Sequence, residues 1–216
     1  YGTFPLNLTK VIGELVSFND YGNVHFVGRI LSALFDIGTI FLIYKIGKKI
    51  FGRKNGLLAG FLYSTMVLPI QLSHFYTTDT FLNFFIVLSF FLLLIFLSTK
   101  HPLPTAVALG ASLGLALACK ISALYFAPII AIGLIAKLIR DKKIKLFVIE
   151  SLLLLVTSAL IFRLSQPQAF ASANFLQWQI NPQFISNLKE LKDLSGSDVW
   201  YPPAVFWHST TPLVSP

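Results

Sequence analysis

Long apolar runs separated by short polar links set the pattern of this chain. Gly56 to Leu72 and Thr80 to Ser98 carry no charged residue, and Val24 to Tyr44 is interrupted only by Arg29 and Asp36. About 19 apolar residues in helical form cross a bilayer core of about 30 Å, so each run predicts a membrane span. Thr105 to Ile139 is longer, with Lys120 near its middle. As one helix its roughly 35 residues would reach about 52 Å at 1.5 Å per residue. It therefore divides into two spans turning near Lys120, each slightly short, with the turn sunk at the floor of a cavity. Leu146 to Leu164 supplies a sixth span.

The links carry the remaining information. Gln71-Leu-Ser-His-Phe-Tyr-Thr-Thr-Asp79-Thr80 is a polar island between the second and third spans, expected as a short loop. Lys45 to Asn55 (with five cations), 99–104 and 140–145 hold most of the Lys and Arg. Alternation puts these three links on one side, which the positive-inside rule makes cytoplasmic. The amino-terminal segment, the polar island, the Lys120 turn and everything after Gln166 then lie outside. Upstream, Val11, Ile12, Leu15 and Phe18 fall at helical spacing, predicting a short amphipathic helix over 9–18 at the interface. Ala106, Gly110, Gly114 and Ala118 recur every four residues, a stripe suited to close helix packing in lipid.

Composition agrees with this pattern. Charged residues make up 12% of the chain, against roughly 25% for soluble domains, so the expected class is an all-α integral membrane bundle of about six spans. The net charge of +8 sits in links between apolar runs, which speaks for topology and against a nucleic-acid partner. Cys119 is the single cysteine, leaving no disulfide and no cysteine metal cluster. After 165 the composition shifts toward Trp and Pro, dividing a membrane core, 1–165, from an extracytoplasmic segment, 166–216. There Asn181-Pro182 reads as a helix cap with proline at the first helical position. Phe184, Ile185, Leu188 and Leu191 form one stripe of an interfacial helix that Gly196 stops, and a tryptophan-bearing loop follows. The chain starts at Tyr1 without Met and is expected to be a piece of something longer.

Few polar groups are placed for chemistry. Asp79 opens the third span, where a carboxylate serves either as a helix cap or as a functional acid, and the two roles are compatible. His74, five residues earlier, could join it toward a divalent metal or substrate, although two ligands do not make a site. Lys120 is costly in hydrocarbon and suits anion binding at a sunken turn, the alternative being snorkelling. Arg29 reads either as part of a buried polar ladder with Asp36 or as a phosphate ligand at the outer cavity, which its fork geometry fits. Asp36, seven residues on and on nearly the same face, suits a structural tie to a neighbouring helix. Arg163 is expected to snorkel, and Glu150 has no assigned role. No nucleotide-binding glycine loop, HExxH or GxSxG occurs.

Several stretches together resemble a known family. They are Val27-Gly28-Arg29-Ile30-Leu31-Ser32-Ala33-Leu34, Tyr44-Lys45-Ile46-Gly47-Lys48-Lys49-Ile50-Phe51-Gly52, the polar island, Gly114-Leu-Ala-Leu-Ala-Cys-Lys120-Ile-Ser-Ala, Gln166-Pro-Gln-Ala-Phe170 and Asn181-Pro-Gln-Phe184. Each is loose alone; in this order and spacing they are similar to the membrane core of GT-C glycosyltransferases. The branch is the phospholipid carrier-dependent one, with protein O-mannosyltransferases and the aminoarabinose transferase. The resemblance implies transfer of a sugar, with inversion, from a polyprenyl-phosphate donor to a protein, lipid or glycan acceptor. The active site would lie on the outer face of the membrane, expected to be a bacterial plasma membrane. It implies that Asp79 holds the acceptor or a divalent metal, and that Lys120 and Arg29 receive the lipid phosphate. The family's first-loop acid would precede Tyr1, and the tail Phe206-Trp207-His208-Ser209-Thr210-Thr211-Pro212 lacks an arginine that related tails often carry. Two other classes compete: a transporter, which predicts polar groups at mid-bilayer and broken repeated helices, and a non-catalytic lipid-binding subunit, which needs neither Asp79 nor Lys120.

Overall fold

Every apolar run of the sequence is helical in the structure, a computed structural model that describes residues 2–18, 20, 22–172, 174–175 and 177–194. The elements are α1 (Phe4–Leu15), α2 (Val24–Phe51), α3 (Arg53–Ser64), α4 (Val67–His74), α5 (Thr78–Ser98), α6 (Pro102–Cys119), a 3-10 turn (Ile121–Phe126), α7 (Ala127–Asp141), α8 (Ile144–Ser165) and α9 (Pro182–Leu194). Five helical segments are long and apolar enough to cross a membrane, and the bent pair α3–α4 makes a sixth. The chain is a polytopic all-helical membrane protein, with two compact units, 1–167 and 168–216.

The basic link 45–55 is shorter than the charge pattern suggests. Helix α2 runs on to Phe51, and Gly52, at φ 88°, alone separates it from α3. At about 42 Å α2 is longer than a core of about 30 Å is thick, which leaves room for Lys48 and Lys49 in its last turn to lie outside it. The second span is likewise not straight: α3 and α4 meet at 57°. Pro69 explains where. It has no N–H to give the carbonyl four residues back, that of Thr65, and its ring would collide with it; Thr65 is where α3 stops. The hydroxyls of Ser64 and Thr65 further occupy carbonyls of the preceding turn, bonding Phe61 O at 2.8 Å and Leu62 O at 2.9 Å.

The polar island is mostly helix as well, a second departure from the expected loop. Gln71 to His74 belong to α4, because Ser73 Oγ and the His74 ring both bond the Ile70 carbonyl (2.9 and 2.7 Å). Polar side chains satisfied by their own helix do not require a loop. Only 75–77 turn.

Helix α1 begins and ends earlier than the expected 9–18. Pro5, Thr9 and Gly13 are its buried positions, and Phe4, Leu8 and Ile12 pack on the core with them. Val11, Leu15 and Phe18 face outward. Small residues thus dock the helix while part of the predicted apolar stripe faces the surroundings. The stripe on α6 behaves as expected. A Cβ on Gly110 would stand 2.4 Å from Leu154 O, and one on Gly114 2.6 Å from Ser158 O, so α6 and α8 pack backbone to backbone. Ser89 and Ser112 link α5 to α6, with Ser89 donating at 3.0 Å and Ser112 passing its proton to Phe85 O at 3.1 Å.

An ion pair deep between α7 and α8, Lys137 with Glu150, fills a gap in the sequence reading. Both side chains are nearly inaccessible, and the Lys137 ammonium also lies 3.9 Å from the Phe96 ring centroid. A tight turn at Lys142, left-handed at φ 52°, makes α7 and α8 antiparallel. Lys137 stands four residues before the end of α7 and Glu150 six after the start of α8, so both lie close to that turn and the long lysine side chain spans the offset.

In the second unit, Gln183 N–H donates to Asn181 Oδ1 at 3.0 Å, the cap expected at the start of α9. Asn181 N–H also bonds Ala169 O at 3.0 Å, and Phe170 bridges Ile180, so the two late stretches singled out in the sequence touch. Gly196, Trp200, Trp207 and the tail from Phe206 lie outside the described residues.

Candidate active site at the Asp79–Lys120 end of the bundle

Two chain reversals meet at the end of the bundle opposite the basic links. One is the turn 75–77 between α4 and α5; the other follows α6, which stops at Cys119. Lys120 leaves the helix in extended form (φ −161°, ψ 129°) and the 3-10 turn carries the chain into α7. Lys120 Nζ donates to Asp79 Oδ1 at 2.8 Å, with the two side chains 32% and 42% exposed. An ion pair so open to solvent contributes about 1 kcal/mol or less to stability. The fold therefore does not depend on it, and its groups remain accessible to a ligand.

The position of Asp79 is fixed by its surroundings rather than by capping. Thr77 occupies the cap position of α5 and Asp79 lies in the first turn, where the helix dipole favours a carboxylate. The turn before it is held by Tyr76. This residue has φ 49°, a left-handed conformation that costs a non-glycine roughly 1–2 kcal/mol. Its ring lies flat on Gly28, where a Cβ would come within 2.6 Å of ring carbons. Its hydroxyl donates to Thr9 Oγ1 at 2.7 Å and stands 3.1 Å from Pro5 O. Burial raises the Tyr76 pKa above its ordinary value, keeping the phenol a neutral donor. No role was expected for Tyr76, although it and Gly28 both stand in the resembling stretches.

The amino-terminal segment also reaches α6: Gly2 N–H bonds Cys119 O at 2.9 Å and satisfies a carbonyl at the α6 terminus. Thr3 N–H donates to Gln166 Oε1 at 2.9 Å. Gln166 and Arg163 are each only 3% exposed, so Arg163 is buried rather than snorkelling as expected. It is one turn from the residue that the amino-terminal segment covers.

Beside the ion pair a cavity of about 710 Å³ opens where the α3–α4 break parts the helices. Asp79 and Thr80 line it at one end, and Asp36, Tyr63 and Asn83 supply its other polar groups. Tyr63 donates to Asp36 Oδ1 at 2.9 Å and accepts from Asn83 Nδ2 at 2.7 Å. Asp36 is thus tied to a neighbouring helix. Arg29 is exposed on α2, outside the residues lining this cavity. His74 is exposed, with Nδ1 turned back to its own helix. Among the described residues no three His, Cys, Asp or Glu side chains gather as a metal site, and His74 with Asp79 does not fit a divalent cation unaided.

A span-broken bundle with an acid–base pair and an adjoining cavity is a scaffold for many membrane activities, and the sequence decides among them. The dolichyl-phosphate-mannose-protein mannosyltransferase family model matches residues 16–177, about three quarters of the chain. The chain belongs to this family. It is accordingly a membrane glycosyltransferase of GT-C type, and the transporter and scaffold classes fall away. The family match includes every residue expected at the site: Arg29, His74, Asp79 and Lys120. No curated protein and no solved structure matches the chain.

Proposed function

We propose that this glycosyltransferase moves a hexose or pentose from a polyprenyl-phosphate donor to a protein, lipid or glycan acceptor. The reaction would take place at the membrane face opposite the basic links, the extracytoplasmic one by the positive-inside rule. The reading rests on one observation: Asp79 and Lys120, 41 residues apart, share a hydrogen bond at a single accessible end of the bundle.

The chemistry fits these two groups. An acceptor oxygen attacks the anomeric carbon, the bond from that carbon to the phosphate oxygen breaks, and the electron pair leaves on phosphate. A fixed ammonium at the phosphate stabilises the charge that develops in the transition state. The acceptor's proton goes to a carboxylate. Asp79 accepts or orients that hydroxyl when arriving phosphate draws Lys120 away from it. Arg29, exposed on α2, is a further phosphate contact at the lipid boundary, and His74 a contact for the acceptor. Should a divalent ion take part, Asp79 and His74 are the residues of this chain to share it, with further ligands from elsewhere.

Membranes bearing the protein, incubated with a labelled polyprenyl-phosphate sugar, test this. Lys120→Ala should slow transfer by about 10²–10³-fold, the usual loss for one oxyanion-stabilising donor, at unchanged expression. Wild-type turnover in that variant would remove Lys120 from the site.

A further inference from the structure

The cavity beside Asp79 contains a polar group that neither packing nor the ion pair requires. Asp36, Tyr63 and Asn83 come from three helices, α2, α3 and α5, and meet on the wall of a space that is apolar apart from them, Asp79 and Thr80. If their only task were to join helices, they would be expected at a closed interface, as Ser89 and Ser112 are. Instead they face an open volume of about 710 Å³, within the roughly 300–1,000 Å³ usual for small-molecule sites.

Their hydrogen-bonding inventory says what the space accepts. The one proton of the Tyr63 hydroxyl goes to Asp36 Oδ1, and its oxygen receives Asn83 Nδ2–H. Asp36 Oδ2 and Asn83 Oδ1 keep their acceptor capacity, and Asn83 keeps one N–H. The surface is therefore rich in acceptors, with a single spare donor. It suits a ligand that brings hydroxyl groups and disfavours one that brings a phosphate. The phosphate has its own place at Lys120, outside the cavity lining. Asp79 and Asn83 are one turn apart on α5, about 6 Å along the axis and on one face. That is the reach of a single sugar ring.

We propose that Asp36, Tyr63 and Asn83 form the subsite that binds the hydroxyl groups of the donor sugar and so set which sugar is carried. The proposal rests on the lipid-phosphate donor reading above, and it places the sugar in the cavity opened by the α3–α4 break while its phosphate stays at the rim.

The test compares two probes on the full chain in lipid nanodiscs: farnesyl phosphate and mannosyl farnesyl phosphate. Wild type should bind the mannosyl form more tightly by about tenfold or more, the discrimination expected when a site built to pair hydroxyls finds them. Tyr63→Phe and Asn83→Leu, made separately, should each erase most of that preference and leave farnesyl phosphate affinity unchanged. Retained farnesyl phosphate binding also shows that each variant is folded. If wild type binds both probes and the variants keep the full preference for the mannosyl form, the subsite is overturned and the transferase reading stands. If wild type binds neither probe, the donor reading itself is overturned and the subsite with it.

Discussion

Gly28 and Tyr76 show how much a single residue sets at this site. Any side chain at 28 meets the Tyr76 ring, and that ring holds the left-handed turn from which α5, and Asp79 with it, starts. Overpacking of this kind costs typically 1–3 kcal/mol, small enough for the bundle to survive. Gly28→Ala should leave membrane insertion and helix content intact while lowering transfer by at least tenfold; transfer at the wild-type rate would show that Tyr76 does not position Asp79. The Lys137–Glu150 pair makes the opposite demand. It is buried at the far end and carries no expected chemistry. Glu150→Gln should destabilise by about 3–5 kcal/mol, because it strands a buried ammonium. Replacing both residues with Met and Leu should restore most of the loss in thermal unfolding. If the double replacement is as unstable as the single one, the pair is more than a mutual neutralisation.

Among the elements, the α3–α4 break has the clearest consequence. Pro69 ends the straight run at Thr65, and the cavity opens at that break. Pro69→Ala restores the missing donor, so it should straighten the span and weaken binding of a lipid-phosphate sugar while expression holds. An unchanged affinity would detach the cavity from the proline. The existence of the spans was legible in the sequence because uncharged runs of bilayer length have few other uses in a protein. The turn at Lys120 was legible from length alone. The kink was written there too, in Pro69 four residues beyond Thr65, but a hydropathy pattern does not register a missing N–H. The last turn of α4 was hidden because Ser73 and His74 look like loop residues until their bonds to Ile70 are seen. Lys137 escaped notice inside an apolar run, although it and Glu150 flank the same short basic link. The meeting of Asp79 with Lys120 followed from topology, since both had to lie at the same end; that they touch, and that Arg29 stands apart from the cavity, depends on helix rotation, which alternation does not determine.

At the scale of the whole molecule, the two ends of the bundle have different chemistry. One carries Lys48, Lys49, Arg53 and Lys54 in and around a one-residue link; the other gathers α1, the Tyr76 turn, Asp79, Lys120 and Gln166. In a Cys119→Ser background, single cysteines at Asn55 and at Gln71 should be labelled from opposite sides of sealed membranes, Gln71 from outside. Labelling of both from one side would break the span count. The central claim is that Asp79 and Lys120 act as one unit in sugar transfer, and a double-mutant cycle tests it most directly. Transfer from labelled polyprenyl-phosphate mannose would be measured for Asp79→Asn, Lys120→Ala and the two together. Residues that act as a unit give grossly non-additive losses. The pair should therefore lose little more than the worse single variant, whereas losses that simply multiply would show two groups that touch without working together.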